Sequence, residues 1–326
     1  MSGFHIGGNT KTCMNKVPGI SLGLDVGGSH VTAAVVDASL WRGQSLRLVR
    51  NEMDSFGTAS EIIASVAGCI KEALDGGQPV NEIGIAFPGP FDYENGICRI
   101  LNVGGKFEQM FGLDIGEALK EATGMTDTLF RFYNDAHCFA VGAYALNGLK
   151  SERTVFLTLG SGFGSSFMED GRLVTHHPAL PVQGAFYNEP FRESIADDYF
   201  STRWFHRTYE QATGQALAGV RELAEMHSGA VSGIFHEFGA NLGEFLRPWL
   251  EKFECDELVI GGNIARASHL FWNALENELK SLDSKVNVVF CDDTEACILI
   301  GAAGLARQEG VARDQALPLR EDQFAD

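Results

Sequence analysis

One structural plan is written twice along this chain, and that repetition constrains the fold more than any single motif. In the first pass, a short apolar run from Ile20 to Asp25 reaches the turn Val26-Gly27-Gly28-Ser29. A second run, Val31 to Val36, follows, then Asp37-Ala38-Ser39 and a third run from Ser45 to Val49. Strand, glycine turn, strand, turn, strand predicts an antiparallel meander. Between Ala59 and Leu74, residues Ile62, Ile63, Val66, Ile70 and Leu74 recur at helical spacing, and Gly76-Gly77 ends the pattern. A buried strand, Glu82 to Phe87, closes at Pro88-Gly89-Pro90. A helix from Leu113 to Thr123 and a strand from Thr128 to Tyr133 then deliver Asn134-Asp135.

The second pass starts with a strand, Thr154 to Leu159, the turn Gly160-Ser161-Gly162-Phe163-Gly164 and a return strand, Ser165 to Glu169. Asp170-Gly171 is a favoured two-residue hairpin turn, leading into Arg172 to Val174. Next come a helix from Gly229 to Phe253, a strand from Glu257 to Ile260 and the turn Gly261-Gly262-Asn263. A helix from Ala267 to Leu282, a strand from Val286 to Phe290 and a helix from Ala296 to Arg307 complete the order. Duplication predicts two similar α/β lobes whose junction is a ligand cleft. A single parallel sheet would need strict strand–helix alternation, which the two meanders break. The expected division is a loosely ordered segment over 1–19, a first lobe over 20–135 joined by the C-terminal helix 296–307, a second lobe over 136–295, and a polar tail over 308–326.

Charge and cysteine usage narrow the partners. The formal net charge of -18 argues against nucleic acid or an anionic membrane surface, which need Lys and Arg neutralisation. A small anion is still admissible, because backbone N–H groups and a divalent cation can supply a local positive field. The seven cysteines, Cys13, Cys69, Cys98, Cys138, Cys255, Cys291 and Cys297, form no C-x-x-C pair and read as buried reduced thiols. No apolar run is long enough to span a bilayer, and the first nineteen residues lack the basic-then-apolar layout of a signal peptide. The expected location is the cytoplasm.

The two glycine turns sit at matching points of the repeat. Glycine at a strand-to-strand turn lets backbone N–H groups approach phosphate oxygens, which a Cβ would obstruct; an ordinary hairpin is the competing reading for either turn alone. Neither turn is a Walker loop, since G-x-x-x-x-G-K-[ST] is absent. Asp25, beside the first turn, suits a divalent cation and also suits accepting hydrogen bonds from the turn's own N–H groups, two roles that are compatible. Asp135 suits a general base at the end of the last first-half strand, or else a cap for the helix starting near Ala136.

Five segments occur in the order and approximate spacing of the ROK family: Asp25-Val-Gly-Gly-Ser29, Ile83 to Pro90, Tyr133-Asn-Asp-Ala136, Leu157 to Gly164 and Val259-Ile-Gly-Gly-Asn263. The chain resembles that family over about Ile20 to Arg307. The family (repressors, open reading frames and kinases) belongs to the sugar kinase, heat-shock chaperone and actin superfamily. The resemblance implies an α/β fold of two actin-like, ribonuclease H-like lobes with a nucleotide and sugar cleft between them. It further implies ATP and Mg²⁺ as cofactors, a small-molecule sugar as substrate and a homodimer. By resemblance, Asp25, Gly27, Gly28 and Ser29 form the first phosphate motif, with Asp25 the metal residue. Gly160, Ser161, Gly162 and Gly164 form the second, and Gly261, Gly262 and Asn263 resemble the adenosine motif. Asn134 resembles the sugar-binding Asn and Asp135 the catalytic base, while Gly89 and Asn102 resemble the first-lobe wall of the sugar site. The implied reaction is transfer of the ATP γ-phosphoryl group to a hydroxyl of a hexose or N-acylhexosamine.

The chain departs from the family pattern between Gly171 and Pro190. Many members carry G-E-x-G-H there, which gives a Glu and a His to the sugar, followed by a zinc-binding C-x-C-G-x-x-G-C. No cysteine lies between Cys138 and Cys255, so no structural zinc is expected. His176-His177 read as loop residues rather than metal ligands. Glu189, with Asn188 or Gln183 nearby, is the candidate for the sugar-contacting Glu. The aromatic residues from Phe186 to Tyr209 read as core or a dimer face before sugar stacking. His30, where the family often has Lys or Asn, reads as solvent-facing. Besides an active kinase, the altered Glu189 segment keeps a catalytically silent sugar-binding protein in play. A family repressor is disfavoured by the short stretch before Ile20 and by the negative charge, and a chaperone ATPase by the want of a peptide-binding domain.

Overall fold

The computed structural model describes residues 20–37, 46–75, 80–102, 104–226 and 228–307. The expected N-terminal segment, the polar tail, the start of the third apolar run and the Gly76-Gly77 helix stop lie outside them. The first half contains β1 (Ile20–Val26), β2 (His30–Asp37), β3 (Leu48–Glu52), α1 (Ala59–Ala73), β4 (Glu82–Phe87), β5 (Phe91–Asp92), β6 (Ile97–Cys98), α2 (Ile115–Thr123), β7 (Leu129–Asn134) and α3 (Asp135–Asn147). The second contains β8 (Arg153–Leu159), β9 (Phe163–Glu169), β10 (Arg172–Leu173), β11 (Pro190–Phe191), β12 (Ser194–Ile195), α4 (Ala196–Phe200), α5 (Thr202–Thr213), α6 (Val220–Glu225) and α7 (Gly229–Phe253). It ends with β13 (Glu257–Gly261), α8 (Ser268–Leu279), β14 (Asn287–Phe290) and α9 (Thr294–Arg307).

Two five-stranded sheets repeat one topology. The first has the order β3-β2-β1-β4-β7 and the second β10-β9-β8-β13-β14. In each, the meander strands pair antiparallel and the next two join parallel. The duplication read in the sequence is therefore a duplication of sheets. Boundaries differ in places. The third strand starts at Leu48 and runs to Glu52, past the apolar run, because it pairs with the polar end of β2, where His30 faces Glu52. The second glycine turn is three residues long, Gly160 to Gly162, since Phe163 and Gly164 already pair with Leu159 and Thr158.

Local chemistry sets the elements. A capping box starts α1: Thr58 Oγ1 accepts from Glu61 N, and Thr58 N donates to Glu61 Oε2 at 2.8 Å. Ile62, Ile63, Val66 and Ile70 then bury one face on the first sheet. The second lobe packs around phenylalanine. Phe186, Phe191, Phe200, Trp204, Phe205 and Tyr209 are all buried there with Phe238 and Phe245 of α7, so these rings are core, while Tyr187 is exposed on the cleft wall. Each buried ring contributes about 1.5–3 kcal/mol by leaving water. Among the described residues, Cys69, Cys98, Cys138, Cys255 and Cys297 are buried free thiols, and Cys291 is partly exposed.

α3 and α9 join the halves. α9 lies on β1 and β4 of the first sheet and crosses α3. The crossing is backbone to backbone: a Cβ on Gly142 would sit 1.8 Å from Cys297 O, and one on Gly301 1.8 Å from Cys138 O. Only glycine fits such an approach. Gly301→Ala is expected to lower unfolding stability by about 3 kcal/mol, read as a shifted urea midpoint at unchanged slope. An unchanged midpoint would show that the two helices do not meet there. Among the described residues, no helix is long and apolar enough to cross a membrane.

Candidate active site

Asp25 stands near the end of β1, between Thr32 of β2 and Ala86 of β4. β7 lies beside β4, with Asn134 opposite Phe87, so the step into α3 brings Asp135 to the same end of the sheet. The second sheet repeats this edge with its own glycine turn. Between the two sits a cleft of about 3200 Å³. That is several times the ~300–1,000 Å³ of a usual small-molecule site, so there is room for two ligands in an open arrangement.

Each glycine turn is closed by one backbone hydrogen bond, over different spans. In the first, Gly27 N donates to His30 O at 3.0 Å; in the second, Gly160 N donates to Gly162 O at 3.1 Å. The amides of Gly28, Ser29, Ser161 and Gly162 donate to no acceptor among the described residues. Amides left uncommitted in a cleft fit phosphate oxygens. The second turn is braced by a residue that sequence reading passed over. Asp197 accepts from Phe163 N at 2.7 Å and pairs with Arg203, which reaches Ser161 O.

Asp25 accepts no hydrogen bond from the described residues, which removes the reading that it serves its own turn. Burial first, then the neighbouring Asp135 and Glu295 carboxylates, push its carboxyl up to about 7, against a smaller opposing pull from Arg50. Asp25 is thus a buried carboxylate without a sufficient counter-charge, and it is the side chain here that could hold a divalent cation. Glu295 is held by Arg50 and by Thr32 Oγ1, which donates at 2.8 Å. From the sequence this helix is expected to start at Ala296, with no role for Glu295, whereas it begins at Thr294. No group of three His, Cys, Asp or Glu side chains among the described residues is arranged to hold a metal by itself.

Asn134, not Asp135, caps α3. Asn134 Oδ1 accepts from Ala136 N at 3.0 Å, and Asp135 Oδ1 accepts from the same amide at 2.8 Å. Burial raises the Asp135 carboxyl, partly offset by the Ala136 and Asp135 amides. Asn134 Nδ2 donates to Tyr93 Oη at 3.3 Å, and Tyr93 Oη donates to Phe87 O at 3.0 Å. One Asn134 N–H is left for a ligand. His137, also at the cleft, is pushed down to about 4 by burial and is neutral at physiological pH.

The cleft wall collects Asp25, Gly27, Gly28, Ser29, Gly89 and Asn102 from the first half. Asn134, Asp135, Gly160, Ser161, Gly162, Gly164 and Glu189 also line it, as do Gly262 and Asn263. Gly261 does not. It ends β13 behind the wall, where a Cβ would meet the Phe139 ring at 2.6 Å and Thr294 Oγ1 at 2.8 Å, so close packing is what requires glycine there. Gly262 turns at φ 94° and donates its N–H to Thr294 Oγ1 at 2.7 Å, which ties this turn to α9. Gly164 reaches the cleft but is fixed by packing, since a Cβ would fall 2.2 Å from Thr158 Oγ1. Glu189 is partly exposed, and burial raises its carboxyl against the pull of Lys252. His176 and His177 are loop residues; His177 Nδ1 accepts from Ala179 N at 3.1 Å.

Residues 21–180 match the model of the ROK family. The chain is 24% identical over 317 residues to a glucokinase of Thermotoga maritima, covering 88% of this chain and 97% of that protein. It is also 24% identical over 234 residues to an N-acetyl-D-glucosamine kinase of Vibrio atlanticus, covering 66% and 74%. Among solved structures, a ROK family glucokinase from Streptomyces griseus in complex with glucose and AMPPNP superposes with a TM-score of 0.69 at 19% identity, covering 89% of this chain and 100% of that one. That likeness is one of fold.

Proposed function

We propose that this chain, a member of the ROK family, is an ATP-dependent sugar kinase acting on a hexose or N-acylhexosamine, with Asp135 as general base. The observation that carries the reading is the pair of carboxylates, Asp25 and Asp135, set between two glycine turns with uncommitted amides on one cleft. The curated relatives named as sugar kinases support the same class of reaction.

In this reading the sugar hydroxyl attacks the γ-phosphorus of ATP. A sugar O–P bond forms, the bond to the β-phosphate oxygen breaks, and ADP leaves. Asp135 accepts the hydroxyl proton on Oδ2, while the Ala136 amide holds Oδ1 in place. The amides of Gly28, Ser29, Ser161 and Gly162 orient the phosphates. Mg²⁺, held by Asp25, would supply neutralisation of the polyphosphate charge. Asn134, fixed by Tyr93, and Glu189 orient the sugar ring. Closing so wide a cleft would expel water that could otherwise take the phosphoryl group.

Glu189→Ala is expected to raise the sugar KM about tenfold to a hundredfold with ATP affinity unchanged, since one charge-assisted hydrogen bond is lost. An unchanged sugar KM would remove Glu189 from the sugar site. The reading itself is tested by incubating the protein with MgATP and a panel of hexoses and N-acetylhexosamines, followed by mass spectrometry for a sugar phosphate. A product ion for at least one sugar is expected. ATP binding with no product from any sugar would favour the silent sugar-binding reading, with the altered segment before Glu189 as its cause.

A further inference from the structure

The chain carries a formal charge of -18, yet a polyphosphate entering the cleft needs a local cation. Six cationic side chains of the described residues line the cleft: Arg50, Arg99, Lys106, Lys120, Arg131 and Arg266. Four are already engaged. Arg50 pairs with Glu295, Arg99 with Asp92 at 3.8 Å, Lys120 with Glu117 at 2.6 Å and Arg131 with Glu82 at 3.0 Å. Lys106 and Arg266 have no carboxylate partner among the described residues. Arg266 belongs to the far end, just past Gly262 and Asn263.

Lys106 lies directly across the first glycine turn. A Cβ on Gly28 would come 3.1 Å from the Lys106 Nζ, 3.3 Å from its Cε and 3.4 Å from its Cδ. The placement is anchored through the backbone. Ser55 N donates to Gly28 O at 3.2 Å, and Phe107 N donates to Ser55 O at 2.7 Å. Phe107 is buried at φ 59°, an uncommon conformation for a bulky residue, and its ring packs on Phe87 at 5.0 Å. The residue before it is therefore fixed at the turn while its side chain stays exposed. An unpaired ammonium held over amides that lack acceptors is a phosphate site in the making. Lys106 also follows Asn102 by one short loop, between the proposed sugar wall and the phosphate turn.

We propose that Lys106 binds the phosphoryl group being transferred and neutralises its charge as it passes from ATP to the sugar oxygen. This rests on the kinase reading above. The amides of the glycine turn orient that group, and Lys106 supplies the side-chain charge that the paired arginines cannot. The proton path is unaltered: it ends on Asp135.

The test compares Lys106→Met, Lys106→Arg and Lys120→Met. For Lys106→Met, kcat is expected to fall about a hundredfold or more with sugar KM within about threefold. Affinity for a non-hydrolysable ATP analogue should fall at least about tenfold more than affinity for AMP, measured by calorimetry. Lys106→Arg, which keeps the charge, should recover at least about a tenth of wild-type kcat. Lys120→Met, which removes an equal charge from the cleft edge, should leave kcat within about twofold. A wild-type kcat in Lys106→Met, or equal losses for the ATP analogue and AMP, would overturn the proposal. Should the wild-type protein phosphorylate no sugar, the kinase reading fails and the binding ratio alone decides. A selective loss for the triphosphate then upholds Lys106 as a phosphate ligand, and an unchanged ratio overturns it.

Discussion

Asp135→Asn is expected to lower sugar phosphorylation by about a thousandfold while changing MgATP affinity less than about threefold. The substitution keeps the side chain's shape and its acceptor for the Ala136 amide, and removes only the capacity to take a proton. The helix does not suffer, because Asn134 provides its cap. The carboxyl is raised by burial, which brings a carboxylate nearer to the basicity useful at neutral pH. The comparison is by kcat and by calorimetric ATP binding on the same preparations. A variant within tenfold of wild-type turnover would mean that the hydroxyl proton goes elsewhere, and His137, neutral beside it, would be the next group to replace.

Asp25→Asn is expected to make the protein more stable and far less active. Burial and two neighbouring carboxylates raise Asp25 from its ordinary 3.8 to about 7. The folded chain thus holds a proton that the unfolded chain releases between about pH 4 and 7. Stability from that proton is fully present below about pH 4 and is lost as pH rises through about 7. Asparagine fixes the neutral form, so in the absence of metal and nucleotide the variant should exceed wild type by about 1–2 kcal/mol at pH 8, with the gap gone by pH 4. Cleft water softens the repulsion and keeps the gap well below its unscreened size. Turnover with MgATP should fall about a hundredfold or more. Urea denaturation at the two pH values checks the first part; equal stability at pH 8 would mean that the carboxylates are not in conflict. Such a gain from removing a functional charge is the stability–activity conflict expected where a site holds like charges together.

Much of the frame was legible because its signals are local. Short apolar runs on either side of a glycine turn mark β1, β2, β8 and β9, and the strand Glu82–Phe87 and helix Gly229–Phe253 fall where their patterns place them. Order and repetition then implied two like sheets. Packing behind a motif was less accessible. Gly261 looks like its neighbour Gly262 in sequence, but one packs on Phe139 and the other turns with φ 94° at the cleft. Residues that converge from distant positions were missed altogether. Glu295 meets Arg50 and Thr32 across more than two hundred residues of chain, Asp197 reaches back to Phe163, and the sulfurs of Cys291 and Cys297 approach to 3.5 Å without any motif. Lys106 is one of nine lysines, marked by no motif, until the fold lays it over Gly28.

The central claim is that this cleft moves a phosphoryl group from ATP to a sugar by way of Asp135. Its most direct test is ADP release with MgATP, with and without each of a panel of hexoses and N-acetylhexosamines, for the wild-type protein and Asp135→Asn side by side. The account predicts release that depends on at least one sugar and disappears in the variant. Release that is indifferent to every sugar, or that survives in Asp135→Asn, would contradict it.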